Sequence, residues 1–173
     1  KDSDRTLEGA IFGLFAKEDI KSETTGKVLI EANEIIELKS TDEEGKITFV
    51  ADLPIGATYY VKELYAPDGF VTNDEEKEFT FEYAGEDQPT VTYDFTFDNQ
   101  PTVVEFTKSS LTTGKELPGC KLKVVDADGN IVDEWTSGKE AHVIRELTVG
   151  KEYTLVETKP TDGYVTAESV KFT

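Results

Sequence analysis

Leu53-Pro-Ile-Gly56, Tyr59-Tyr60-Val61-Lys62-Glu63 and Pro67-Asp68-Gly69-Phe70-Val71-Thr72 form one block of sequence, and ninety-four residues later the block returns. There it reads Leu147-Thr-Val-Gly150, Tyr153-Thr154-Leu155-Val156-Glu157 and Thr161-Asp162-Gly163-Tyr164-Val165-Thr166, in a register that holds without a gap. Upstream, Leu7-Glu8-Gly9-Ala10-Ile11-Phe12 corresponds to Leu117-Pro118-Gly119-Cys120-Lys121-Leu122, with a longer middle stretch in the first copy, near residues 16–46. A repeat of about ninety residues is a duplicated domain rather than a solenoid unit. The expected domains are residues 1–100 and 101–173. They divide at Asn99-Gln100-Pro101-Thr102, where a Pro follows an aromatic run and a new apolar run begins.

Each copy reads as all-β. Apolar residues alternate at period 2 in Phe79/Phe81/Tyr83 and Tyr93/Phe95/Phe97, then in Val104/Phe106 and Leu122/Val124. Turn residues separate these runs at Asp42-Glu-Glu-Gly45, Pro67-Asp-Gly69, Asp128-Gly129-Asn130 and Ser137-Gly138. Only Val28 to Leu38 has some helical character, and it also reads as a loop with one short turn. Many short strands at this spacing predict two tandem β-sandwiches.

Counting side chains removes several kinds of chemistry. The 173 residues include one Cys and one His, too few for a disulfide framework, a structural zinc cluster or a Ser-His-Asp triad in each copy. The formal charge of -18 disfavours nucleic acid and anionic membrane surfaces, which bind clustered Lys and Arg. Aromatics at 10% and a hydrophobic fraction of 37% are enough for a packed core. The charge is uneven. Residues 1–99 hold nine basic and twenty-four acidic side chains, a charge of -15, and residues 100–173 hold nine and twelve, a charge of -3. No run approaches the roughly 20 apolar residues of a membrane helix, and no charged leader precedes an apolar run. With no Met present, the sequence reads as a fragment of a longer chain.

Polar residues inside the alternation are the candidates for chemistry. Tyr59, Val61 and Glu63 share a strand face, and Tyr153, Leu155 and Glu157 repeat it. Phe95, Phe97 and Asn99 share a face in the first copy; Val104, Phe106 and Lys108 share one in the second. Burying such groups singly costs several kcal/mol, so each calls for a partner, unless the strand ends turn them to solvent. Elsewhere the bland readings lead. Asp126-Ala-Asp128-Gly129-Asn130 reads as a hairpin turn rather than a calcium loop, because its Gly is misplaced for an EF-hand. Cys120 stands where Ala10 stands in the first copy and reads as a small buried hydrophobe. His142 reads as a strand residue, Trp135 as packing on a sheet face, and the acidic run Asn73 to Glu78 as a solvated loop.

Lys108-Ser-Ser-Leu-Thr-Thr-Gly-Lys-Glu-Leu-Pro-Gly, Tyr-Thr-Leu-Val-Glu157 and Pro-Thr-Asp-Gly-Tyr164 resemble a CnaB-type (SpaA or prealbumin-like) domain of Gram-positive surface adhesins and pilins. The first copy is similar through Leu-Glu-Gly-Ala-Ile-Phe-Gly-Leu-Phe15, Tyr-Tyr-Val-Lys-Glu63, Ala-Pro-Asp-Gly-Phe70 and Phe-Asp-Asn99-Gln-Pro. The resemblance covers nearly the whole chain. It implies a transthyretin-like, inverse-immunoglobulin sandwich, and a self-catalysed isopeptide bond between a first-strand Lys and a last-strand Asn, assisted by a buried acid. Under this resemblance an apolar core is expected to leave the amine neutral and the carboxyl protonated.

Carried over, Glu63 and Asn99 take the acid and amide positions of the first copy. Lys1 is the available amine, although Asp2 follows it directly where the family usually spaces Lys and Asp by one residue. The bonding Lys is therefore expected at Lys1 or just before it. In the second copy Lys108 and Glu157 fit, but the partner Asn has no candidate. Thirty residues separate Gly69 from Asn99, whereas ten follow Gly163, so the last strand is expected to be missing. The resulting expectation is an extracellular, cell-wall-anchored stalk or spacer with its anchor outside the fragment, no cofactor or metal, and no enzymatic turnover beyond the single bond-forming event. Its partners would be neighbouring domains of the same chain. The alternatives are a module binding a host matrix protein or glycan, and spacer domains of a secreted enzyme.

Overall fold

The computed structural model describes residues 7–82 and 91–173, and every described element is a strand. Lys1 and Tyr83, both singled out above, lie outside the described residues. The chain forms two compact units. One holds the chain up to Pro67 together with Val71–Gln100; the other holds Asp68–Phe70 and Pro101–Thr173.

In the first unit, β1 (Ile11–Ala16), β4 (Ile35–Ser40), β5 (Thr58–Tyr65) and β7 (Glu76–Thr80) make an antiparallel sheet of order β4-β1-β5-β7. A hairpin of β2 (Ile20–Lys21) and β3 (Val28–Ile30) occupies the long middle stretch, and β6 (Phe70–Val71) lies between β5 and β7 in sequence. After β8 (Gln100–Pro101), the second unit builds an antiparallel sheet of order β11-β10-β13-β14. Its strands are β10 (Lys121–Asp126), β11 (Ile131–Thr136), β13 (Tyr153–Lys159) and β14 (Val170–Phe172). Facing it is a separate pair, β9 (Val103–Phe106) and β12 (His142–Arg145).

The duplication extends to irregularities of register. On one flank of the central strand the ladder shifts between Ile11 and Phe12, and between Lys121 and Leu122. On the other flank it shifts between Leu14 and Phe15, and between Val124 and Val125. An extra residue in one strand re-aims the side chains beyond it, so a bulge kept at the same place holds the same inward set in both copies. Phe12, Leu14, Ala16, Ile20, Tyr59 and Val61 form the first core, and Val124, Ile144, Leu147 and Tyr153 the second.

A hydroxyl clasp recurs beside each core. Thr41 Oγ1 accepts from Ala10 N at 2.9 Å and donates to Leu7 O at 2.5 Å. Ser137 Oγ accepts from Cys120 N at 2.9 Å and donates to Leu117 O at 2.6 Å. The clasp takes up backbone groups of the Leu-x-Gly turn that no ladder reaches. Within that turn Gly9 and Gly119 hold φ of 87° and 91°, a region that a side chain disfavours.

One loop recurs outside the repeat register. Ser22-Glu-Thr-Thr-Gly26-Lys27 joins β2 to β3, whereas Ser110-Leu-Thr-Thr-Gly114-Lys115 lies between β9 and β10. Gly26 N and Gly114 N each donate to the carbonyl of the loop's Ser at 2.8 Å. Ser22 N and Ser110 N return bonds to Lys27 O and Lys115 O at 2.8 and 2.9 Å. Both glycines have φ of 66°.

Three expectations change. Val28 to Leu38 contains β3 and the start of β4, with no helix: its apolar residues are split between a hairpin arm and an edge strand. The acidic run Asn73 to Glu78 is not all loop, because Glu76 opens β7. There Lys17 Nζ meets Glu76 Oε2 at 3.1 Å and Glu78 Oε1 at 2.6 Å, which neutralises much of the repulsion along the strand. Tyr93, Phe95 and Phe97 belong to no strand among the described residues, although their rings pack as alternation predicts. Phe97 lies 4.9 Å from Phe12, and Phe95 lies 5.7 Å from Phe79.

Candidate functional site

Each unit holds one buried glutamate at the same point of its central ladder. Glu63 on β5 sits opposite Phe12 on β1, and Glu157 on β13 sits opposite Leu122 on β10. Strand alternation carries Tyr59, Val61 and Glu63 inward together, leaving Glu63 1% exposed; Glu157 is 7% exposed. A carboxylate at that depth calls for donors, and both find them.

In the first unit the donors are Asn99 and Asn73. Asn99 Nδ2 lies 2.9 Å from Glu63 Oε1 and 2.7 Å from Oε2, and it also donates to Val71 O at 3.1 Å. Every partner is an acceptor, so the amide nitrogen, not its oxygen, faces the acid. Asn73 N donates to Glu63 Oε2 at 2.6 Å. The Asn73 side chain donates through Nδ2 to Asp98 O at 3.0 Å and accepts from Glu75 N at 2.9 Å.

In the second unit Lys108 Nζ lies 2.8 Å from Glu157 Oε2, and Ala167 N donates to the same oxygen at 3.3 Å. Ala167 is the repeat counterpart of Asn73, ninety-four residues on, so each copy fixes its acid with the same backbone N–H. Burial pushes the Glu157 carboxyl up, but the Lys108 ammonium, the Ala167 N–H and the Cys120 thiol together hold it below the usual carboxylate range. The expected protonated acid is therefore not favoured in the second unit: the Glu157 carboxyl is held low and paired with Lys108 Nζ. The physical reason is access. The Lys108 side chain stays 23% exposed, so its ammonium keeps part of its hydration while neutralising a carboxylate that is 3% exposed. Cys120 is fully buried, and burial, followed by the neighbouring Glu157 charge, raises its thiol.

The remaining candidates are structural. Asp126 accepts from Asp128 N, Asn130 N and Asn130 Nδ2 at 3.0, 2.8 and 2.9 Å, so its oxygens are committed to the turn. His142 stacks on Trp135 at 4.2 Å between ring centres and meets Asp133 Oδ2 at 2.8 Å through Nε2. Among the described residues no three His, Cys, Asp or Glu side chains gather as a metal site, and no helix is long and apolar enough to cross a membrane. Sequence reading missed Asn73, hidden in an acidic run, and the clasps of Thr41 and Ser137. Aligning the two copies exposes the clasp, since a hydroxyl recurs just after the edge strand of each.

The family model described as the SpaA prealbumin-like fold domain matches residues 1–98 and again 102–173. The chain belongs to that family. Within the SpaA family's fold, the Bacillus anthracis TIE protein is similar over 99% of this chain, with 25% identity and a TM-score of 0.53. The chain spans 29% of the length of that protein. A variant of the shaft pilin SpaA from Lactobacillus rhamnosus GG aligns over 97% of this chain and 84% of its own, at 19% identity and a TM-score of 0.41. A C-terminal fragment of the pilus adhesin SpaC from the same organism covers 99% and 77%, at 16% identity and a TM-score of 0.48. No curated protein matches the sequence. Among the described residues, each of the two segments of this chain that match the family model carries one buried glutamate, Glu63 in the first and Glu157 in the second.

Proposed function

We propose that the two domains, residues 1–100 and 101–173, are stalk or spacer domains of a Gram-positive cell-surface adhesin or pilus protein, and that the first closes itself with an isopeptide bond to Asn99. One observation carries this reading: a glutamate buried to 1% holds the Asn99 amide nitrogen with both oxygens, at 2.9 and 2.7 Å. The amine is Lys1 or a Lys just before it.

In the reaction a neutral amine nitrogen attacks Asn99 Cγ. The Nζ–Cγ bond forms and the Cγ–Nδ2 bond breaks. Glu63 takes a proton from the attacking nitrogen and returns one to Nδ2, which leaves as ammonia, so Glu63 ends unchanged. Its contact with Nδ2 is the return path for the proton. Holding the groups in a folded core supplies the effective concentration. The product ties the start of the first domain to its end at Asn99, so pulling the chain cannot extend the domain between them. This is one event per molecule and makes the chain a structural element of the cell surface rather than an enzyme.

Intact-mass measurement of the folded protein tests the reading. A deficit of one ammonia is expected where Lys1 is the amine, abolished by Glu63→Ala or Asn99→Ala. A mass equal to the sequence would remove the cross-link through Lys1. A second deficit mapped to Lys108 would show that the second domain also finds a partner. A second reading, a module contacting a host matrix protein or glycan, is favoured by the β2–β3 hairpin, where Val28 and Leu29 are exposed. Binding of the chain to a matrix-protein or glycan array, lost on Leu29→Ser, would support it.

A further inference from the structure

We propose that Asn73 is the positioning residue of the first domain's site. It fixes the glutamate through its backbone and the neighbour of the reacting amide through its side chain. The inference rests on the cross-linking reading above and adds a residue to it.

Three bonds meet at Asn73. Its N–H donates to Glu63 Oε2 at 2.6 Å, its Nδ2 donates to Asp98 O at 3.0 Å, and its Oδ1 accepts from Glu75 N at 2.9 Å. The first bond orients the acid. The second holds the carbonyl one residue before Asn99, and the third fixes the rotamer that makes the second possible. Residues 91–99 belong to no strand among the described residues, and the pairing of β8 with β6 begins only at Gln100, so Asn99 itself has no ladder partner. Its seat on Glu63 depends on that neighbouring pairing together with Phe97 against Phe12, Val71 O, and this link from Asn73.

The second copy supplies the comparison. Ala167 stands in place of Asn73 and its N–H still reaches Glu157 Oε2, at 3.3 Å. An alanine therefore keeps the backbone clamp on the acid and removes only the side-chain link. The two functions of Asn73 are separable in this fold, and the loop forms with Ala.

The reacting atoms stay as balanced above; Asn73 exchanges no proton and touches neither Nδ2 nor Cγ of Asn99. Its effect is on the fraction of molecules with Asn99 seated on Glu63. Losing one hydrogen bond of ordinary strength should lower that fraction, and with it the rate of ammonia loss, by about tenfold.

The test follows the mass of the protein over time after cell-free synthesis, for the unaltered chain, Asn73→Ala and Asn73→Ser. Asn73→Ala is expected to lose ammonia about tenfold more slowly. Asn73→Ser, which keeps a shorter donor, should be partly restored, and the unfolding midpoints of the unlinked forms should nearly coincide. Equal rates in all three would overturn the proposal. If the unaltered chain never loses ammonia, the reading with Lys1 as the amine fails on its own, and side-chain hydrogen exchange of the Asn99 amide decides the positioning role. Exchange about tenfold faster in Asn73→Ala upholds it, and unchanged exchange overturns it.

Discussion

Replacing Lys108 with Met is the sharpest probe of the second unit, because it removes the ammonium and keeps most of the aliphatic stem. Glu157 would be left 3% exposed with only the Ala167 N–H and the Cys120 thiol as donors. Stripping one partner from a buried pair costs about 3–5 kcal/mol. The Lys108 side chain is 23% exposed, so water can reach part of the vacated position, and the expected loss is about 2 kcal/mol at pH 7. The loss has a definite pH dependence. In the parent, the folded-state carboxyl is lowered, so its contribution is present above the ordinary carboxylate range and disappears as pH falls through the lowered value. In Lys108→Met, burial acts without the ammonium and the carboxyl rises. The variant is then relatively more stable in acid and loses that advantage as pH rises. The gap between the two proteins should therefore narrow as pH falls from about 7 to about 4, and close only as pH falls through the parent's lowered carboxyl. Denaturant unfolding followed by tryptophan emission reads this unit alone, since the single Trp, Trp135, packs 5.5 Å from Phe106 in its core. A gap below about 0.5 kcal/mol at pH 7, or an equal gap at both pH values, would refute the paired-carboxylate account.

Three further outcomes follow from the repeat and from burial. Ser137→Ala should destabilise the second unit by about 1–2 kcal/mol, since Cys120 N loses its acceptor and Leu117 O its donor; Thr41→Val should do the same in the first unit. Chemical denaturation of each variant measures it, and a change within 0.3 kcal/mol would contradict the clasp's role. Cys120, fully buried with a raised thiol, should resist a thiol reagent in the native protein and react only on unfolding. Rapid labelling without denaturant would contradict this. Cys120→Ala should cost only about 1 kcal/mol, because Ala10 fills the same place in the first unit.

The architecture was legible because duplication repeats a pattern with its register. Tyr59/Val61/Glu63 and Tyr153/Leu155/Glu157 announce the inward face twice, and a central strand buried on that face follows from period-2 alternation. The buried pairing of Glu63 with Asn99 and of Glu157 with Lys108 was approachable for the same reason, since each residue ends an inward apolar run. The rest depended on facts that a linear pattern does not carry. The bulges at Phe12 and Leu122 that set Glu63 and Glu157 opposite core residues have no sequence signature of their own. The Val28 to Leu38 stretch mimicked a helix because two short strands of different exposure abut there. The ionisation of Glu157 turned on how much water still reaches Lys108, a property of the packed surface. Asn73 acts partly through its backbone, which side-chain identity does not reveal.

The twin Ser-x-Thr-Thr-Gly-Lys loops have a consequence for how relatives of this chain are to be compared. The hexapeptide carries its geometry with it, as its hydrogen bonds and its glycine φ are nearly the same in two different topological settings. As the most conspicuous identical string in the chain, it invites use as an anchor for superposing the copies. Anchored there, Ser22 falls on Ser110 and Glu63 falls opposite Lys151 instead of Glu157. The acid that defines each copy would vanish from the comparison. A portable loop is a poor landmark, and homologous sites in such chains are better traced from the bulged central strand outward.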